Sequence, residues 1–466
     1  MTVEPAAQED TRGLKRSMRV VGALLLTLSS VTPASSVFVI VPGVIQQAGT
    51  GAFLSMLAGG LLAFPIAFVY AELSSAFPIA GGEYCMTGRT LGPGWGFAML
   101  GLILASNMLA PAVFALGAGD YIATLLPGVS ATSVALVILV GTTVLSLLHI
   151  RTNAWVTGIF LLLEILALIV LAALGFLNVQ HPLSELAFHP VMVVGGNIVP
   201  ASFAAIGLAT ALSIFAYNGY GTAVYFAEEM HEAPRLIGRT IIWAVVITVL
   251  SEFIPVVAVL AGAPDIKTLV NAQNPFSMFV LLRGGRLLQQ VISLSIAIAI
   301  VNAVLATLLQ NARFFYSTGR DGTWHRHIND GFLRTHARFH SPWIATLVAG
   351  ASSILFCFLG MNLLLVLTGT QLVLVYAGLC AASLEGRRGG STAHATFRMR
   401  FFPLLPIVGL VSCAYILYAN WLDKDVGRPS LIANAVIIML SLAYYYYFLH
   451  VRGGWVLKDP EPDAHE

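Results

Sequence analysis

Two carboxylates lie where the surrounding sequence offers them neither water nor a cation. Glu164 sits in Leu161-Leu162-Leu163-Glu164-Ile165-Leu166-Ala167, and Glu252 in Val249-Leu250-Ser251-Glu252-Phe253-Ile254. A charge held deep in a long apolar run is expensive and marks a functional position by default. Each acid is therefore a candidate to take up and release a proton. Glu164 has two other readings, holding a cation or bonding a neighbouring helix. Glu252 has the same structural alternative, and either acid can read a substrate ammonium.

A second kind of chemistry is offered by the backbone. Thr32-Pro33-Ala34-Ser35-Ser36 interrupts one apolar stretch, and Tyr217-Asn218-Gly219-Tyr220-Gly221-Thr222 interrupts another. Backbone that stops being helical inside a bilayer survives only where it is buried in protein or lines a wet cavity. Broken helices at corresponding positions of two halves point to a transport site. The half-helix after Ser35 and Ser36 would present N–H groups and partial positive charge to a carboxylate. Carbonyls freed near Asn218 and Gly219 would accept from an ammonium. The predicted substrate-binding set is Ala34, Ser35, Ser36, Phe38, Tyr217, Asn218, Gly219 and Tyr220. One of the two tyrosines is expected to line the cavity, where an aromatic face can hold a cation. The plainer account is that the serines bond their own helix and the aromatics pack.

The elements that must position these residues follow from composition. The chain has 466 residues, 58% hydrophobic and 10% charged, against about 25% charged in soluble domains. Apolar runs at 18–47, 51–74, 94–125, 130–149, 153–177, 200–227, 238–262, 286–318, 342–360, 362–384, 402–421 and 430–450 give twelve predicted spans, each near the roughly 20 residues a crossing needs. With the N-terminus placed inside, all but five of the 24 Lys and Arg fall on inner segments, the five being Lys267, Arg283, Arg286, Lys424 and Arg428. That asymmetry predicts cytoplasmic termini and supports the count. The first run is too long for a signal sequence and reads as a retained helix. The tails, 1–17 and 451–466, are polar and read as disordered.

Several motifs then resemble one family. Ala71-Glu72-Leu73-Ser74-Ser75-Ala76-Phe77-Pro78-Ile79-Ala80-Gly81-Gly82-Glu83-Tyr84, Leu91-Gly92-Pro93-Gly94-Trp95-Gly96-Phe97, Glu228-Glu229 with Pro234, Arg313 with Tyr316, Arg320-Asp321-Gly322 and Ser341-Pro342-Trp343 are similar to the pattern of amino acid–polyamine–organocation permeases. The resemblance implies a leucine-transporter-type fold: an all-α membrane protein of 12 transmembrane helices. Helices one to five (18–177) and six to ten (200–384) would form a 5+5 inverted repeat, with helices one and six broken and two peripheral helices over 402–450. It implies alternating access by amino acids or related amines at the plasma membrane. Glu164 falls where some proton-coupled relatives carry a lysine. Many members carry a glycine-rich break in helix one. Ala34-Ser35-Ser36 after Thr32-Pro33 departs from it and looks like some amine carriers.

The remaining polar residues read as supporting parts. Asp120 is a candidate gate or an interfacial residue, and Glu228 and Glu229 are a candidate latch, pairing with Arg235, Arg239 or the inner loops. Asn107, Asn302 and Gln371 are expected to bond between helices. His325, His327, His336 and His340 read as a solvated basic loop, and the four cysteines as packing. No cofactor, metal or nucleic-acid partner is expected, and oligomeric state is not legible. The leading expectation is a proton-coupled permease for an amino acid or similar amine, with a polyamine or small cationic amine exchanger as the alternative. A membrane enzyme has no catalytic motif behind it, and a channel would need a continuous lined pore.

Overall fold

The computed structural model describes residues 18–459 except 126–127, 149, 273, 360, 423, 425–426 and 452–454. Among these residues, nine helical stretches are long and apolar enough to cross a membrane, and two shorter apolar helices accompany them. The first stretch is interrupted twice. α1 (Val20–Val31) stops at Thr32, whose φ of 50° is left-handed. The chain restarts as α2 (Pro33–Ser35), widens into a π-helical turn over Ser36–Ile40 and continues as α3 (Val41–Ala48). Pro33 explains the stop, since proline pushes the preceding residue out of the α region and starts a helix well itself. A short 3-10 turn, Gly49–Gly51, reverses the chain into α4 (Ala52–Ala76).

α5 (Glu83–Leu91) is a short helix outside the long spans. α6 (Pro93–Leu125), α7 (Ala131–Ser146) and α8 (Ile150–Phe176) follow. The segment between α8 and the next long helix holds α9 (Leu183–Phe188) and an antiparallel hairpin, β1 (Val191–Val194) with β2 (Asn197–Pro200). An all-α reading misses this hairpin. It is pinned by Thr50, whose Oγ1 accepts from Val191 N–H at 2.8 Å.

α10 (Phe203–Ala216) ends at Tyr217, and the chain resumes after Gly219 as a 3-10 helix, Tyr220–Glu229. Gly219 has φ 112°, and a Cβ there would lie 3.0 Å from Val31 Cα. The two interruptions therefore touch, and only glycine permits that approach. α11 (Ala233–Gly262), α12 (Ile266–Asn271) and α13 (Pro275–Arg320, bent at Gly285) come next. Arg283, poorly placed by charge alone, caps α11 by donating to the Gly262 carbonyl at 2.8 Å.

α14 (Arg326–Phe332), α15 (Trp343–Phe356), α16 (Met361–Arg388), α17 (Leu404–Leu422) and α18 (Gly427–Tyr444) complete the chain, with a last π-helical turn at Tyr445–Leu449. The apolar window of α13 is 67% buried, whereas those of α17 and α18 are 22% and 11% buried, which places α13 at the centre and the last two at the rim. The segment Trp455–Asp459, in a tail predicted to be disordered, is packed instead. Trp455 is buried against Tyr84 and Phe97, and Arg89 pairs with Asp459 at 2.8 Å.

Candidate functional site

A chamber of about 160 Å³ lies where the two interruptions meet. Ser30, Val31, Thr32, Ser35 and Ser36 line it from the first broken helix, and Asn218, Gly219 and Thr222 from the second. α6 contributes Asn107, and α13 contributes Gln310 and Asn311. Helical geometry leaves the Ala34 and Ser35 amides without intrahelical acceptors and the last carbonyls of α1 without intrahelical donors. The chamber thus sits between a weakly positive and a weakly negative helix end. The Thr32 hydroxyl, buried on its wall, has no partner among the described residues.

The polar interruption is narrower than its sequence. Only Thr32 leaves helical geometry; Ala34, Ser35 and Ser36 are already wound. The half-helix starts at Pro33 rather than after Ser36. The Gly219 carbonyl is not free: it accepts from the Thr222 hydroxyl at 2.8 Å. The Ser36 hydroxyl donates to the Ala216 carbonyl at 3.0 Å, tying one interruption to the other.

Neither tyrosine lines the chamber. Tyr217 is buried and donates to the Met56 carbonyl at 3.2 Å. Tyr220 stacks on Tyr376 at 6.4 Å, and Tyr70 meets both edge-on. Tyr376 in turn donates to Asn218 Oδ1 at 2.6 Å. Phe38 packs on Phe276 at 5.5 Å. Sequence alone does not resolve which aromatic faces inward, because tyrosine and phenylalanine serve core and lipid packing as readily as a cavity wall.

The wound turn Pro33–Ser35 separates the chamber from the two buried acids. Its far side meets Glu164, which the Ala34 amide faces. Glu164 Oε1 accepts from Asn302 Nδ2 at 3.4 Å, and Oε2 has no partner. Both oxygens of Glu252 lack a partner, the nearby Ser36 hydroxyl being engaged elsewhere. Asn302 Oδ1 and Thr248 Oγ1 are likewise unsatisfied. Buried acceptors are nearly always paired, and these four side chains each leave a buried oxygen unpaired among the described residues. Asn302 bonds across to α8, as expected, donating to the Thr157 carbonyl at 3.3 Å.

One end of the bundle, the basic end, is locked. Glu229 pairs with Arg313 at 2.8 Å and Glu228 with Arg320 at 2.5 Å. Arg320 opens an inner loop, one of the expected sources of a partner, whereas Arg235 pairs with Glu232 at 3.7 Å instead. Asp321 accepts from Tyr84 at 2.8 Å and from the Lys458 amide at 3.1 Å, so the tail joins the lock. Burial lifts the Asp321 carboxyl, with Arg320 opposing. Arg387 binds Glu72 at 2.6 Å, fastening α16 to α4. The side chain of Asp120 lies outside the described residues. His325 and His327 sit with rings 5.3 Å apart, and no group of three or more metal-ligating side chains occurs among the described residues.

Sequence reading missed Glu83. It lines a recess of about 90 Å³ that opens off the chamber, sharing Asn107, Asn218, Gly219, Thr222 and Gln310 with it. The Tyr70 and Tyr225 hydroxyls both donate to its carboxylate, the first at 2.9 Å. Burial holds the Glu83 carboxyl above the usual carboxylate range, with the two phenols opposing. Gln371, expected to bond between helices, lines the same recess with neither end of its amide partnered.

Residues 19–443 match the family model described as amino acid permease. A Mycobacterium tuberculosis protein described as an uncharacterized transporter is 26% identical over 93% of this chain and 91% of its own length. The branched-chain amino acid permease BcaP of Bacillus subtilis is 21% identical over 95% of both chains. The methylthioribose transporter of Bacillus subtilis is 24% identical over 96% of both.

Proposed function

This chain belongs to the amino acid permease family of the amino acid–polyamine–organocation superfamily, and on that premise we propose that it moves an amino acid or amino-acid-like amine across the plasma membrane by alternating access. The observation that carries the reading is that two interrupted helices touch at Gly219 and Val31 and enclose one chamber. A substrate carboxylate rests at the Ser35 end of the restarted helix, the Ala34 amide being turned toward Glu164, and the substrate ammonium faces the carbonyl end of α1. Neither contact needs a charged side chain, which suits a bilayer interior.

The arrangement is twelve crossings in a 5+5 inverted repeat. Val20–Ala76 supplies two crossings, reversing at Gly49, and the shorter α7 and α15 supply one each. The first unit spans 18–177 and the second 200–384, with 402–450 peripheral and both termini cytoplasmic. The basic end is then the inner one, and its ion pairs form a latch that opens to release substrate.

Coupling is to protons. Glu164 and Glu252 flank the turn whose other side lines the chamber, so a proton on either acid changes the packing of the wall that holds the substrate. Uptake by symport and exchange share this geometry. The branched-chain permease and the methylthioribose transporter bracket the substrate range that relatives suggest.

Counterflow in proteoliposomes tests the function. Vesicles preloaded with neutral, acidic or basic amino acids are expected to accumulate the matching labelled compound, without sodium. Counterflow by diamines alone would replace the amino-acid reading with the amine exchanger, and none by either class would remove both.

A further inference from the structure

The recess beside the chamber has a composition that the chamber lacks. The chamber is lined by apolar side chains such as Val39, Ile40, Phe114 and Phe215 together with hydroxyls and amides, and no acid is among them. The recess holds a buried carboxylate, Glu83, and no basic side chain pairs with it among the described residues. An ionised carboxylate has about four lone-pair sites, of which the phenols of Tyr70 and Tyr225 take two. The same two tyrosines line the recess, and aromatic side chains attract cations. Gln371, fully buried on the opposite helix, has an unpartnered carbonyl, and its amide nitrogen is unpartnered too. Such orphaned groups in a cavity call for a polar occupant. The volume of about 90 Å³ holds several water-sized groups, at roughly 10–15 Å³ each.

We propose that this recess is a second ligand subsite that takes an ammonium group at the far end of the substrate's side chain, with Glu83 as counter-ion and Gln371 as hydrogen-bond acceptor. The inference rests on the transporter reading and deepens it: the chamber holds the α-amino acid end, and the recess selects substrates with a terminal amine. An ammonium there gains a charge-assisted hydrogen bond, while a neutral aliphatic side chain leaves Glu83 and Gln371 unsatisfied. Specificity of this kind comes from polar groups that the wrong ligand strands.

The test is equilibrium binding of labelled lysine, ornithine, leucine and alanine to the purified full-length protein, compared with Glu83→Gln and Gln371→Ala. Wild-type protein is expected to prefer the cationic pair. In Glu83→Gln the ratio of cationic to neutral affinity is expected to fall about tenfold or more, and in Gln371→Ala about threefold, in line with losing a charged and a neutral contact. If Glu83→Gln does not fold, the Gln371→Ala ratio decides. A ratio unchanged in the variants that fold, or wild-type binding of neutral amino acids alone, overturns the subsite and leaves the transporter reading intact. Binding of no amino acid of either kind takes both down together.

Discussion

Glu229→Ala is expected to be among the most damaging single substitutions in the chain, costing about 3–5 kcal/mol, the range for a buried ion pair broken on one side. The side chains of Arg313 and Glu229 are 1% and 3% exposed. Arg313 also donates to the Leu309 carbonyl at 3.1 Å and lies over the Phe226 ring at 5.8 Å. Without Glu229 its guanidinium stays buried and charged, because arginine cannot shed its proton in a protein. Arg313→Ala leaves a carboxyl, which can accept a proton, so its cost is expected to be smaller. The double substitution is expected to recover part of the loss relative to Glu229→Ala. Thermal unfolding of the three variants in detergent measures this. Equal and additive losses would mean that the two side chains are not coupled.

Glu164→Gln is expected to abolish accumulation driven by a pH gradient while substrate exchange at equal pH continues. Glutamine keeps the size of the side chain and can still bond Asn302, so packing against α2 is retained. What is lost is the ability to carry a proton. Exchange needs the chamber and its alternation, and Glu164 lines neither of its described walls. Uptake into proteoliposomes with and without an imposed pH gradient separates the two. Gradient-driven accumulation at the wild-type level would make Glu164 a structural hydrogen-bonding group. A sodium requirement would move the coupling to another ion.

The two interruptions were legible because their causes are local. Proline after threonine and glycine after asparagine act on their own backbone, whatever packs around them. The buried acids were legible for a similar reason: no long apolar run hides a carboxylate. What the sequence concealed depended on contacts made at a distance. Glu229 lies 84 positions from Arg313 and Glu228 lies 92 from Arg320, so the sequence offered Arg235, Arg239 and the inner loops alike and could not choose among them. Tyr217 and Tyr220 looked like cavity residues because they bracket the glycine, yet one turned to Met56 and the other to Tyr376. Glu83 was read as part of a loop motif, since only the fold brings α5 beneath the chamber. The hairpin at Val191–Pro200 and the docked Trp455 were missed because each is stabilised by tertiary contacts rather than by its own pattern.

The central claim is that cargo rests between the two interrupted helices. An experimental density map of the purified protein, prepared with the amino acid that gives the strongest counterflow, addresses it most directly. Ligand density is expected between Thr32–Ser36 on one side and Asn218–Thr222 on the other. Ligand density confined to any other cavity, or helices wound continuously through Thr32 and Gly219, would contradict it.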